Sequence, residues 1–168
     1  ATRAADVSSS SSNTFGNSFY NQTEGALAIT NTNAWVHPGS NVFRYLAQFD
    51  RVNDPNNFRL SIENGTLVNG QRYHFSIRDN NVLQVSSQLA YPLTENTSNN
   101  VGIVYAANNC AGAVNGGTAI TDTTATIPSS LDRLRIAEGA GGKLTGTISR
   151  LTYWPTRLSN DTLQTITA

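Results

Sequence analysis

The stretch "ISRLTYWPTRLSNDTLQTITA", residues 148–168, contains three local patterns that decide how the rest of the chain is interpreted. Its first part is rich in β-branched and aromatic residues, which favour a strand. Pro155 ends that strand because proline has no amide hydrogen to donate. Ser159 suits the N-cap of a helix, and Asp161 suits its first turn. The helix would carry its apolar side chains on one face: Leu158, Leu163 and Ile166. We therefore expect a closing strand, a corner, and one short helix laid against a sheet.

The rest of the chain consists of short alternating segments separated by turn residues. The clearest are "GALAITNT" (25–32), "NVFRYLAQF" (41–49), "NFRLSIENG" (57–65) and "QRYHFSIRDNN" (71–81). Asn-Gly pairs mark tight turns between strands. Many short strands, with no helical period before the end, predict an all-β, antiparallel jelly-roll sandwich. We expect residues 1–14, with their serine run, to be a linker or lead-in, and residues 15–168 to be the sandwich domain.

Period-two alternation assigns the side chains of the middle strands to two faces. The predicted inward side chains are Phe43, Tyr45, Ala47 and Phe49, Phe58, Leu60 and Ile62, and Tyr73, Phe75 and Ile77. The predicted outward face carries Arg44, Arg59, Glu63, His74 and Arg78, an unusual concentration in a chain with 13% charged residues.

Sugar sites combine an aromatic ring with planar polar groups that bond to hydroxyls. The aromatic candidate is Trp35, in the loop segment "NTNAWVHPG". We therefore predict a ligand-binding site made of Trp35, Arg44, Arg59, Glu63 and His74. Two alternatives stay open: a solvated face with cross-strand ion pairs, or a face packed against a sister chain.

Composition excludes several classes of partner. Eleven basic and eleven acidic residues leave a net charge of zero, which disfavours binding to nucleic acid or to an anionic membrane. No apolar run approaches the length of a membrane span. Cys110 is the single cysteine, so no internal disulfide can form, and we expect it to be buried. The chain has no methionine, and we expect it to be a piece of a longer protein.

Catalysis and metal binding find little support in the sequence. A glycosidase needs two carboxylates placed together, and only Asp50 and Asp54 are close in sequence, the second in a loop before proline. We predict a non-catalytic domain without a cofactor. His37 and His74 are not separated by the sequence spacing that is typical of zinc ligands. The segment "DRVNDPNN" (50–57) has the oxygen donors that calcium prefers, but we interpret it as an Asx-rich turn and predict no metal site.

Three segments carry a resemblance to a known family: "VGIVYAANNCAGAVNGG" (101–117), "DRLRIAEG" (132–139) and "LTGTISRLTYWPTRLSN" (144–160). They resemble the closing half of a concanavalin A-like (laminin-G-like) jelly roll. Together with "ATRAADV" near the start, these motifs make the sequence similar to modules at the C-termini of bacteriophage tail fibre and other virion proteins. The resemblance implies an extracellular, virion-borne module that binds a host-cell glycan. Its partners would be the rest of the fibre polypeptide and, in a homotrimer, two sister chains. The alternatives are a capping or trimerisation domain without a ligand, and a glycan-degrading enzyme.

Overall fold

The computed structural model describes residues 8–9, 20–33, 43–51, 53–64, 71–89, 93–129, 131–138 and 142–168. Within them the strands are β1 (Ser8–Ser9), β2 (Glu24–Asn33), β3 (Phe43–Asp50), β4 (Asn57–Asn64), β5 (Gln71–Asp79), β6 (Val82–Gln88), β7 (Ser98–Ala106), β8 (Cys110–Val114), β9 (Ile120–Asp122), β10 (Arg133–Ile136) and β11 (Gly146–Trp154), followed by the helix α1 (Asn160–Ile166). The predicted all-β class with a short C-terminal helix is confirmed.

The strands form two antiparallel sheets. The described strands of the first sheet lie in the order β1-β10-β3-β4-β5-β6, and those of the second in the order β11-β2-β7-β8-β9. Neighbours in each sheet are often distant in sequence, so the two sheets cannot separate into independent halves. Ser8–Ser9 belongs to the predicted lead-in and pairs with β10. The domain boundary at residue 14 stays a prediction.

An aromatic-rich core fills the space between the sheets. The ring of Phe58 lies 4.7 Å from that of Tyr105 on the opposite sheet and 5.2 Å from that of Phe75 on its own. The hydroxyl of Tyr105 donates to the backbone oxygen of Asn21 at 2.7 Å and contacts the Tyr153 hydroxyl at 3.1 Å. The polar end of this buried ring is therefore bonded, while burial raises its pKa. Each large apolar side chain buried here contributes roughly 1.5–3 kcal/mol.

A β-bulge interrupts the pairing of β3 with β4. Tyr45 pairs with Ser61, whereas Ala47 pairs with Leu60, so Leu46 is an extra residue on its strand. Leu46 is completely buried in the core. One extra residue reverses the two faces of the strand on one side of the bulge. Alternation therefore holds from Ala47 onward and is inverted before it.

This inversion corrects the predicted faces of three residues. Phe43 pairs with Glu63, and residues directly opposite one another share a face, so both Phe43 and Tyr45 lie outward instead of in the core. Arg44 pairs with Ile62, which is a core residue. The prediction that Arg44 lies on the outward face is therefore wrong. Its guanidinium packs against Gly142.

The C-terminal helix lies on the second sheet, on the side away from the core. The Ser159 hydroxyl accepts a hydrogen bond from the Thr162 amide at 3.1 Å, which confirms the predicted N-cap. Leu163 is completely buried against small side chains of β2, β7 and β8. Leu158 and Ile166 pack against the same cluster, as predicted. Cys110 is buried as well, and desolvation raises the pKa of its thiol to about 11.

Candidate functional site

The outer face of the first sheet, the side away from the core, is a polar surface arranged in cross-strand rows. The first row is Arg133, Asp50, Asn57 and Arg78, and the second is Arg135, Gln48, Arg59 and Ser76. The third row is Tyr45, Ser61 and His74, and the fourth is Phe43, Glu63 and Arg72. We call this surface the outer face below.

A cleft of about 490 Å³ lies over the first two rows and the β3–β4 loop. Its lining includes five arginines: Arg51, Arg59, Arg78, Arg133 and Arg135. Two aspartates, Asp50 and Asp54, also line it, and Asp132 lies 3.7 Å from Arg51, so two positive charges remain in excess. The whole chain is neutral, and this cleft therefore concentrates positive charge at one place. We call it the arginine cleft. Such a concentration attracts anions and raises their local concentration.

Asp50 fixes two of these arginines. Its carboxylate is 5% exposed, accepts from Arg133 Nε at 2.6 Å, and lies 2.9 Å from Arg135 Nη2. Gln48 Nε2 donates to the same carboxylate at 2.6 Å. The hydrogen bond from Arg133 to Asp50 raises the pKa of that guanidinium. One negative charge thus orients two cations, whose side chains remain 20% and 24% exposed.

Arg59 joins the arginine cleft to the third row. Its guanidinium carbon lies 5.5 Å from the centroid of the Tyr45 ring, within the range of a cation–π contact. The Nε atoms of Arg59 and Arg135 are buried without a hydrogen-bond partner in the described part of the chain. Both side chains are only partly buried, and that of Arg135 is 24% exposed, so each can contact a ligand in the cleft.

The structure separates the predicted site residues. Arg59 lines the arginine cleft, while Glu63 and His74 lie on the same outer face in the next rows. Arg44 is on the inner face, and Trp35 lies outside the described residues. The positions of Arg59, Glu63 and His74 on the outer face agree with the alternation of their strands. Their role in ligand binding stays a prediction.

The site predicted from the sequence lacked the two arginines of β10, Arg133 and Arg135. In the segment "DRLRIAEG", Arg133 and Arg135 flank Leu134, so alternation alone places both guanidinium groups on one face. What the segment does not reveal is its neighbour. The pairing of β10 with β3 brings these arginines beside Asp50 and Gln48.

The third and fourth rows form a more buried cluster. His74 is 8% exposed, its Nε2 lies 3.0 Å from the Ser86 hydroxyl, and its ring lies 5.5 Å from that of Phe43. Burial lowers the pKa of His74, an effect that Glu63 opposes and Arg72 reinforces. Arg72 Nε donates to Glu63 at 3.0 Å. The histidine is therefore neutral at neutral pH and acts as a polar, uncharged side chain.

The β3–β4 loop has the predicted Asx turn, since Asp54 Oδ1 accepts from the Asn56 amide at 2.8 Å. In the described residues, no group of three or more His, Cys, Asp or Glu side chains could hold a metal ion. A search of the same residues for a helix long and apolar enough to cross a membrane finds none.

Known structures share this fold at low sequence identity. No protein-family model and no curated protein matches the chain. The CBM40 of the Ruminococcus gnavus IT-sialidase, bound to α2,3-sialyllactose, is 16% identical over 88% of this chain and 84% of its own, with a TM-score of 0.67. A heptameric SAP-like pentraxin from Limulus polyphemus is 12% identical over 89% and 72%, with a TM-score of 0.67. Domain 4 of AbnA, a GH43 extracellular arabinanase from Geobacillus stearothermophilus in complex with arabinotriose, is 7% identical over 88% and 68%, with a TM-score of 0.62.

These likenesses confirm the jelly-roll, concanavalin-like part of the resemblance. The assignment to a bacteriophage fibre stays a prediction.

Proposed function

We propose that this domain is a non-catalytic carbohydrate-binding module, and that its arginine cleft binds an acidic sugar through the sugar's carboxylate. The observation that supports the proposal most directly is the group of five arginines around one cleft in a neutral chain. Arginine presents a planar fork of donors that matches the two oxygens of a carboxylate.

The remaining lining suits the rest of a sugar. The exposed side-chain amides of Asn53 and Asn81 provide donors and acceptors for hydroxyl groups, whereas Gln48 and Asn57 are buried and bonded within the protein. The volume of about 490 Å³ is in the range of small-molecule sites. The Ruminococcus gnavus CBM40, which shares this fold, binds α2,3- and α2,6-sialyllactose, which are acidic oligosaccharides, and this favours the same class of ligand here.

A glycan-degrading enzyme fits the outer face less well. A glycosidase places two carboxyl groups on either side of the scissile bond. On this face, Asp50 is bonded to Arg133 and Arg135, and Glu63 is bonded to Arg72. The second carboxylate of the arginine cleft, Asp54, accepts from the Asn56 amide in the loop. Asp50, Asp54 and Glu63 are therefore all engaged with donor groups of the protein.

Isothermal titration calorimetry with α2,3-sialyllactose and lactose tests the proposal. The domain should bind sialyllactose and bind lactose much more weakly, because only the first carries a carboxylate. Arg59→Gln and Arg135→Gln should each reduce affinity by about tenfold to one-hundredfold, since charge-assisted hydrogen bonds contribute about 1.5–3 kcal/mol. The matched control is Arg150→Gln, which changes an exposed arginine on β11 of the other sheet and should leave affinity unchanged. Equal binding of lactose and sialyllactose would contradict the proposal.

We further propose that the module serves a virion fibre by binding a glycan of the host surface. This placement is supported by the sequence resemblance over residues 101–168 and by the exposed cleft. The isolated domain should compete with phage for adsorption to host cells, and the Arg59→Gln variant should compete poorly. Light scattering on the isolated domain distinguishes the capping alternative: a trimer that hides the outer face would assemble without binding glycan.

A further inference from the structure

A pair of aromatic rings lies on the outer face because of the bulge in β3. Phe43 and Tyr45 pair with Glu63 and Ser61, and their ring centroids are 6.4 Å apart with the planes inclined by 24°. Tyr45 is 3% exposed, whereas Phe43 remains partly exposed. Phe43 is thus the accessible ring, and Tyr45 and His74 support it from the side of the sheet.

This aromatic patch is continuous with the arginine cleft. The guanidinium of Arg59 in the cleft lies over the ring of Tyr45, which in turn contacts Phe43. Along β4, Arg59 and Glu63 are four residues apart, about 13 Å at roughly 3.3 Å per residue. A ligand that reaches from the arginines to Phe43 is therefore larger than a single sugar residue.

The groups beside Phe43 suit a neutral sugar. Glu63 and Arg72 form an ion pair at 3.0 Å, and their side chains are only 14% and 20% exposed. The pair therefore presents planar donors and acceptors in a fixed position beside the ring. An aromatic face with planar polar groups at its edge binds the apolar face of a pyranose and its hydroxyls.

We propose that Phe43, with the Glu63–Arg72 pair beside it, forms a second sugar subsite that stacks a neutral residue attached to the acidic sugar in the arginine cleft. The inference rests on the proposed function, which it extends from a monosaccharide to an oligosaccharide. The two halves of the outer face then recognise different parts of the ligand. The arginine cleft binds the carboxylate of the acidic sugar, and the aromatic subsite binds the neutral sugar attached to it.

The test compares N-acetylneuraminic acid with α2,3-sialyllactose as ligands, using calorimetry on the whole domain. Wild type should bind the trisaccharide more tightly than the monosaccharide. Phe43→Ala should weaken trisaccharide binding about three- to tenfold and leave monosaccharide binding unchanged, as expected for the loss of one aromatic contact. Phe43→Tyr keeps the flat ring and should retain the preference. Phe43→Leu keeps apolar bulk without the ring and should lose it. Melting curves confirm that each variant is folded.

The outcomes separate this inference from the proposed function. If Phe43→Ala leaves the trisaccharide preference intact, or weakens both ligands equally, the subsite is wrong while the arginine cleft stands. If wild type binds neither acidic ligand, the proposed function fails and the subsite fails with it. Arg59→Gln should weaken both ligands, which provides the reference for a change in the cleft itself.

Discussion

The contact between the C-terminal helix and β7 depends on a glycine. An added Cβ at Gly102 would lie 2.7 Å from Leu163 Cδ1 and 2.8 Å from Thr167 Cγ2, closer than real contacts allow. We predict that Gly102→Ala destabilises the domain by about 1–3 kcal/mol, the usual cost of overpacking. Leu163→Ala should cost about 2–5 kcal/mol, because it removes a completely buried side chain from neighbours too small to fill the space.

The double variant, with both Gly102→Ala and Leu163→Ala, tests the contact between these two residues directly. Removing the Leu163 side chain frees part of the space that the new methyl group at residue 102 would occupy. The free energies should therefore not add, and the double variant should be more stable than their sum by about 1 kcal/mol or more. The contact with Thr167 remains, so the compensation should be incomplete.

Urea unfolding followed by tryptophan fluorescence measures these free energies. A loss of about 3 kcal/mol also lowers the melting temperature by roughly 6–12 °C in a domain of this size. The control is Thr165→Ala, on the exposed side of the same helix, which should change stability by no more than about 0.5 kcal/mol. The proposed packing would be refuted if the double variant lost as much unfolding free energy as Gly102→Ala and Leu163→Ala lose together, within about 0.5 kcal/mol. The affinity for sialyllactose should not change, because the helix covers the other sheet.

Three further predictions concern single groups. Because burial lowers the pKa of His74 below its ordinary 6.5, the unfolded chain takes up a proton first, and stability should fall as pH drops below that value. In His74→Gln this part of the decline should be absent when unfolding is compared at about pH 5 and about pH 7.5. Cys110 should react with a thiol reagent only after unfolding, since it is buried and its thiol pKa is raised to about 11; rapid labelling of the native domain would contradict its burial. Ser159→Ala should cost about 0.5–2 kcal/mol through loss of the N-cap, and no change in urea unfolding would contradict it.

The alternation of apolar and polar residues was sufficient to predict which side chains face the core wherever a strand is regular. The inward residues of β4 and β5, such as Phe58 and Phe75, are buried as their spacing predicts. It failed at β3, because a bulge depends on how two strands pair and has no marker in the sequence of one of them. That single residue moved Phe43 from the expected core to the outer face and Arg44 the opposite way. The candidate site changed with it.

Local sequence patterns correctly predicted the all-β class, the outward position of Arg59, Glu63 and His74, and the capped terminal helix. These features follow from local periodicity and from hydrogen bonds between near neighbours, so a short window contains the information. Two features could be seen only in the folded protein: the pairing of β10 with β3, and the bulge at Leu46. The arginine cleft and the aromatic patch result from these two facts. Both depend on contacts between strands that are distant in the chain, and the pattern of one strand does not identify its partner or the register of their pairing.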